Sequence, residues 1–194
     1  MKTLIFSTAA LVLISTLYLG IQGAWSNNDD PSHGLGKWQN MKARSTGVAP
    51  VTNTLYAEEC GSCHFAYPPG LLPSFSWQKV MTGLADHFGD NAELDAQTKQ
   101  QITKYLTTHA AESSNYRRSR AIMYSLQATD TPPPLRITDT PYFKREHREI
   151  PNRIINLPKI GGKLSRCNAC HQRADKGSFN EHEIVIKGLG PWND

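Results

Sequence analysis

Two five-residue strings constrain this chain more than any other feature: Cys60-Gly61-Ser62-Cys63-His64 and Cys167-Asn168-Ala169-Cys170-His171. Together they use all four cysteines of the 194 residues. Two thiols separated by two residues, with an imidazole directly after the second, suit attachment of a c-type haem. The sulfurs add across the vinyl groups as thioethers, and the adjacent histidine reaches the iron from the same side. Two such strings predict two covalently bound haem c groups, held by Cys60 and Cys63 and by Cys167 and Cys170.

Other uses of four cysteines account for less. Two disulfides would explain the even number but not a histidine at the same offset twice. A thioredoxin-like dithiol needs a βαβ setting that neither string has. A zinc site of four thiolates would leave both histidines idle and would join segments more than a hundred residues apart.

The chain starts in a way that suits an exported protein. Lys2 is the only charged residue before Asp29, and Leu4 to Ile21 is mostly apolar. Ala24-Trp25-Ser26 fits a small-x-small cleavage site, so residues 1–26 read as a signal peptide and the mature chain starts at Asn27. An uncleaved anchor is the alternative, since the apolar stretch nearly suffices to cross a bilayer. Either way the remainder lies on the exported side.

Loss of Lys2 with the leader leaves 20 Lys and Arg against 17 Asp and Glu, a formal charge of +3. The propionates of two haems would cancel that excess. No Lys/Arg run resembles a nucleic-acid arm, so a nucleic-acid partner is not expected. Only 39% of residues are hydrophobic, and 12 prolines and 14 glycines break the chain. So polar a polypeptide has a modest core of its own, which large apolar cofactors would complete.

The pattern predicts a mainly α protein. A short helix runs over residues 54–64 into the first motif, and the proline-rich residues 65–73 form an apolar loop against a haem face. Trp77, Val80, Met81, Leu84 and Phe88 form a stripe at helical spacing over residues 76–88, stopped by Gly89. Further helices are expected over 91–111 and 113–126. Thr129 to Pro134 is a break between a first haem domain, 27–128, and a second haem-binding segment, 129–194. Within the latter, 141–158 holds a short helix and irregular chain, and 183–186 reads as an extended tail.

His64 and His171 supply one axial ligand to each iron. For the other positions the mature chain offers His33, His87, His109, His147 and His182, with Met41, Met81 and Met123 as thioethers. His87, flanked by Phe88 and Gly89, is the choice for the first haem, with His109 and Met81 as rivals. His147, near Tyr142, Phe143 and Ile150, is the choice for the second, with His182 as rival. Arg117, Arg118 and Arg120, and Lys144, Arg145 and Arg148, are basic clusters suited to haem propionates, to an acidic partner, or simply to solvent.

The sequence resembles the small dihaem cytochrome c family of bacteria. The likeness runs from Cys60–His64 through Tyr67-Pro68-Pro69-Gly70-Leu71-Leu72-Pro73, Ser76-Trp77 and His87-Phe88-Gly89. It continues through Ile102 and Tyr105-Leu106 to Glu146-His147-Arg148-Glu149-Ile150 and the second motif, with Gly177 and Phe179 beyond. The resemblance implies a periplasmic electron carrier and not an enzyme, with an N-terminal half like a class I cytochrome c and an irregular, loop-rich C-terminal haem-binding half. It implies low-spin irons with histidine on both sides, pairing His64 with His87 and His171 with His147. The partners it implies are redox proteins: a membrane cytochrome b as donor and a small soluble haem protein as acceptor. The alternative is a dihaem peroxidase or small-ligand reductase with one open haem site.

Overall fold

The computed structural model describes residues 47–192. The predicted leader 1–26, most of the arm after it, His33 and Met41 lie outside the described residues. The described residues are mainly helical, with one two-stranded antiparallel ribbon, Val185–Ile186 (β1) paired with Gly190–Pro191 (β2). Among them no helix is long and apolar enough to cross a membrane.

Each of the first three helices starts at a side-chain cap. Helix α1 (Thr54–Gly61) begins where the Asn53 side chain accepts the Tyr56 amide at 2.8 Å. Helix α2 (Ser74–Thr82) receives the Glu112 carboxylate, which accepts the Ser74 amide at 2.9 Å and also bonds the Ser74 hydroxyl. A carboxylate there satisfies an open amide and the positive end of the helix dipole. Helix α3 (Ala96–Thr108) is capped by Asp95, whose carboxylate accepts the amides of Gln97 and Thr98. Helix α4 (Arg117–Gln127) follows, then α5 (Pro141–Glu146), started by the Thr140 hydroxyl, and α6 (Asn152–Ile155).

Where observed elements differ from the sequence reading, local chemistry explains it. The apolar stripe of residues 76–88 does not stay one helix. The Gly83 amide bonds both the Lys79 and Val80 carbonyls, closing α2, and a 3-10 turn over Leu84–Asp86 carries the stripe onward. The helix predicted over 91–111 waits for the Asp95 cap, and the one predicted over 113–126 waits until a 3-10 turn (Ala111–Ser113) has passed. Of the extended tail expected over 183–186, Val185–Ile186 is extended as β1 and held by pairing with β2, while Glu183 still belongs to a 3-10 turn (Glu181–Glu183).

Three apolar clusters hold the chain together. Tyr56, Leu72, Trp77, Met81, Ile102 and Leu106 form the first, where α1, α2 and α3 meet beside the first motif. Val48, Leu71, Ile122, Leu126, Ala174 and Phe179 form the second, drawn from both sides of the proline-rich break. Ile154, Ile160, Ala169 and Ile186 form the third, beside the second motif. The neighbours Leu71 and Leu72 thus enter different clusters. Their loop is fastened by the Trp77 indole N–H, which donates to the Pro69 carbonyl at 2.8 Å. Close packing also dictates Gly70, where a Cβ would stand 2.6 Å from Ser119 Oγ.

Candidate metal centres

The first motif straddles the end of α1. Cys60 and Gly61 complete the helix, and the chain turns so that Cys63 and His64 are exposed. His64 Nδ1 lies 2.8 Å from the Phe65 carbonyl. A carbonyl can only accept, so Nδ1 carries the proton and Nε2 keeps a free lone pair, the arrangement of a histidine that binds metal.

Opposite His64 stands His87, in a tight turn after the 3-10 segment. The turn is built by the His87 amide donating to the Asp90 carbonyl at 2.6 Å and the Gly89 amide donating to Asp86 Oδ1 at 2.9 Å. It forces Phe88 to φ 59° and Gly89 to φ 105°. A left-handed phenylalanine costs about 1 kcal/mol or more. The Arg136 guanidinium lies 3.9 Å from the Phe88 ring centre, packing on the strained residue beside His87. The His64 and His87 rings are 6.2 Å apart between centres and within 16° of parallel.

The second motif forms a 3-10 turn (Cys167–Ala169) and places His171 opposite His147. His147 follows α5, and its Nδ1 donates to the Phe143 carbonyl at 2.9 Å. The two ring centres are 6.3 Å apart, with the planes at 75°. A cavity of about 120 Å³ between them is walled by Ile122, Ile137, Ile150, Ile154, Ile160, Ile184 and Ile186, with Cys167 and Cys170 at its edge. Arg118 enters this wall, donating to the Tyr142 hydroxyl at 2.7 Å and to the Phe179 carbonyl at 2.8 Å. A neighbouring open cleft of about 520 Å³ has Arg136, Lys144 and Lys163 in its lining and shares Phe143 and His147 with the cavity.

Both sites fit a flat metal–porphyrin held between two imidazoles. Metal–imidazole bonds of about 2.0–2.1 Å on opposite sides of one ion put ring centres about 6.3 Å apart. Electrostatics favour the same chemistry. Burial, with His147 and Arg118 adding to it, pushes the His171 imidazole down to about 4. His87 is lowered by burial and then by His64 and Arg136, and His147 by burial first. Neutral imidazole is the metal-binding form.

The thiols point away from the competing uses. Burial pushes Cys60 up to about 11 and Cys167 up to about 12, and raises Cys170. Redox dithiols and zinc thiolates need the opposite shift. None of the four sulfurs is joined to another, and among the described residues no group of three or more His, Cys, Asp or Glu side chains surrounds a single point.

The other candidates lie elsewhere. His109 is exposed at the end of α3, its Nδ1 donating to the Tyr105 carbonyl at 2.8 Å. Met81 is buried in the first cluster, Met123 packs against the second, and His182 is exposed. Of the basic clusters, Arg117, Arg120, Lys144, Arg145 and Arg148 are exposed, while Arg118 is half-buried. Arg136 carried no signal in the sequence, being a lone cation after three prolines. Tyr67, within the loop expected against a haem face, has its ring centre 5.0 Å from that of His64, and its hydroxyl reaches the second motif's approach at Ser165, a link the sequence did not signal.

Residues 56–179 match the family described as "Dihaem cytochrome c". The fold is similar to that of a dihaem cytochrome c from Shewanella baltica OS155, at 40% identity and a TM-score of 0.60, over 73% of this chain and 98% of that one. It is similar also to a dihaem cytochrome c from Rhodobacter sphaeroides, at 40% identity and a TM-score of 0.58, over 68% of this chain and 99% of that one. No curated protein sequence matches the chain.

Proposed function

The chain belongs to the dihaem cytochrome c family and carries two covalently attached haems, and on that premise we propose that it is an electron carrier whose irons are each closed by two histidines. Cys60 and Cys63 would anchor the first haem, with His64 and His87 holding its iron. Cys167 and Cys170 would anchor the second, with His171 and His147 holding its iron. The observation that carries this reading is the pair of ring separations, 6.2 and 6.3 Å, at two sites built from unrelated local structure.

When bound, each haem supplies one-electron exchange between ferric and ferrous iron. The residues of this chain hold the imidazoles in place. The carbonyls of Phe65 and Phe143 fix the proton on Nδ1 of His64 and His147. The isoleucine wall excludes water from the second site. Two ligands already in place leave little rearrangement for an electron to drive, which suits transfer. A dihaem peroxidase or small-ligand reductase would instead need an iron with an open position.

We further propose export to the periplasm through residues 1–26. The family resemblance suggests a membrane cytochrome b as donor and a small soluble haem protein as acceptor. The division near residue 129, between a class I-like part and a loop-rich part, is supported by the proline-rich break. The second apolar cluster joins the two parts. A carbon monoxide difference spectrum of the reduced protein tests the proposal. Little binding at neutral pH is expected, and ready binding at both haems would overturn it.

A further inference from the structure

The two histidine pairs share a separation but not an orientation. The planes of His64 and His87 are within 16° of parallel, whereas those of His147 and His171 cross at 75°. The crossing has a local cause. Phe143 stacks flat on His147, with ring centres 3.8 Å apart and planes 11° apart, and its own carbonyl accepts the Nδ1 proton of that imidazole. Turning His147 about its Cβ–Cγ bond would break both contacts at once. On the other side, Phe179 meets His171 edge-on, at 5.3 Å and 60°. Among the described residues the distal ligand of the first site has no such clamp, since Phe88 meets His87 edge-on at 4.9 Å and 61°.

Ligand orientation is an electronic variable. In low-spin ferric iron the unpaired electron occupies one of two d orbitals of π symmetry. Each imidazole raises the orbital that overlaps its own π system, which stands perpendicular to its ring plane. Parallel rings raise the same orbital and separate the two. Crossed rings raise one each and leave them nearly equal in energy. Hydrogen bonds and packing around an axial ligand thereby tune the metal without touching it.

Resting on the ligand pairs proposed above, we infer that Phe143 is a positioning residue that holds His147 crosswise to His171, so that the two irons are electronically different. The His64/His87 iron is of the parallel type and the His147/His171 iron of the crossed type. Near-equal orbitals stabilise the ferric ion less, so the crossed arrangement favours the reduced state of the second iron.

Low-temperature electron paramagnetic resonance of the oxidised holoprotein, with the Phe143→Leu and Phe143→Tyr variants, tests this. The native protein is expected to give two low-spin signals: a three-feature rhombic spectrum and a single broad feature at lower field. Phe143→Leu should shift the broad feature toward the rhombic type and leave the other unmoved, while Phe143→Tyr, which keeps the stack, should preserve both. Two rhombic signals in the native protein would overturn the inference while leaving both ligand pairs standing. So would a broad feature indifferent to Phe143→Leu. A high-spin or sulfur-ligated signal would instead defeat the ligand pairs, and this inference with them. The native spectrum alone decides the first point even where a variant fails to fold.

Discussion

The Tyr67 hydroxyl donates to the Ser165 carbonyl 2.9 Å away, across 98 residues of chain. Tyr67 also packs beside His64, and Ser165 lies two residues before Cys167, so one side chain links the surroundings of the two motifs. The Tyr67 carbonyl in turn accepts the Tyr56 hydroxyl at 2.7 Å, tying the link back to α1.

Replacing Tyr67 by Phe removes that one hydrogen bond and keeps the ring. The expected loss is about 1 kcal/mol of stability, read from a denaturant titration of the holoprotein. Unchanged stability would mean that the bond contributes nothing to joining the surroundings of the two motifs.

The proposed distal ligands can be separated by mutation. His87→Ala should open the first iron, so that the reduced variant binds one carbon monoxide per chain. His109→Ala should leave the spectrum as in the native protein, because that imidazole is exposed and bonded to its own helix. The reverse result would make His109 the ligand.

How far the sequence could be read depended on how local each feature was. The Cys-x-x-Cys-His strings are local, and they carry the chemistry in five residues each. His87 could be singled out by its neighbours Phe88 and Gly89, but its position could not, because it depends on Gly83 ending α2 early and on a turn that places Phe88 at φ 59°. Helix starts slipped by several residues for a similar reason. Asp95 marks its own cap, whereas α2 is capped by Glu112, thirty-eight residues away. Arg136 acts through Phe88, forty-eight residues earlier, and the Tyr67 hydroxyl through Ser165, ninety-eight residues later, so neither link left a periodicity to follow.

Arg118 puts a positive charge in the wall of the second site. A nearby cation favours the added electron, so Arg118→Met should lower the second-haem potential, on the order of 60 mV, a tenfold change in a one-electron equilibrium. Redox titration of the variant checks this, and a rise in potential would contradict it.

Gly177 sits at φ 73°, where a Cβ would collide with the Val48 carbonyl oxygen. Its own carbonyl accepts the Val48 amide at 2.9 Å, fastening the start of the described chain to the segment after the second motif. Gly177→Ala should therefore cost roughly 2–4 kcal/mol, measured by denaturant midpoint. A neutral substitution would mean that this junction yields easily.

Acid should weaken the fold in a defined window. His171 is pushed down to about 4, and His87 and His147 shift in the same direction. Below about 6.5 the unfolded chain takes up protons that the folded chain refuses. The stability these histidines contribute is thus complete above that value and declines as the pH falls toward 4, with iron ligation carrying the loss lower still. Denaturant midpoints across pH 4–8 should be level at the upper end and fall at the lower. A midpoint that rises on acidification would contradict the neutral, partly buried imidazoles.

Near-infrared magnetic circular dichroism of the oxidised protein reads axial ligand identity at both irons. Charge-transfer intensity confined to the region of histidine–histidine ligation, in the amount due to two haems per chain, is the predicted result. A histidine–methionine band, or high-spin intensity from either iron, would contradict it.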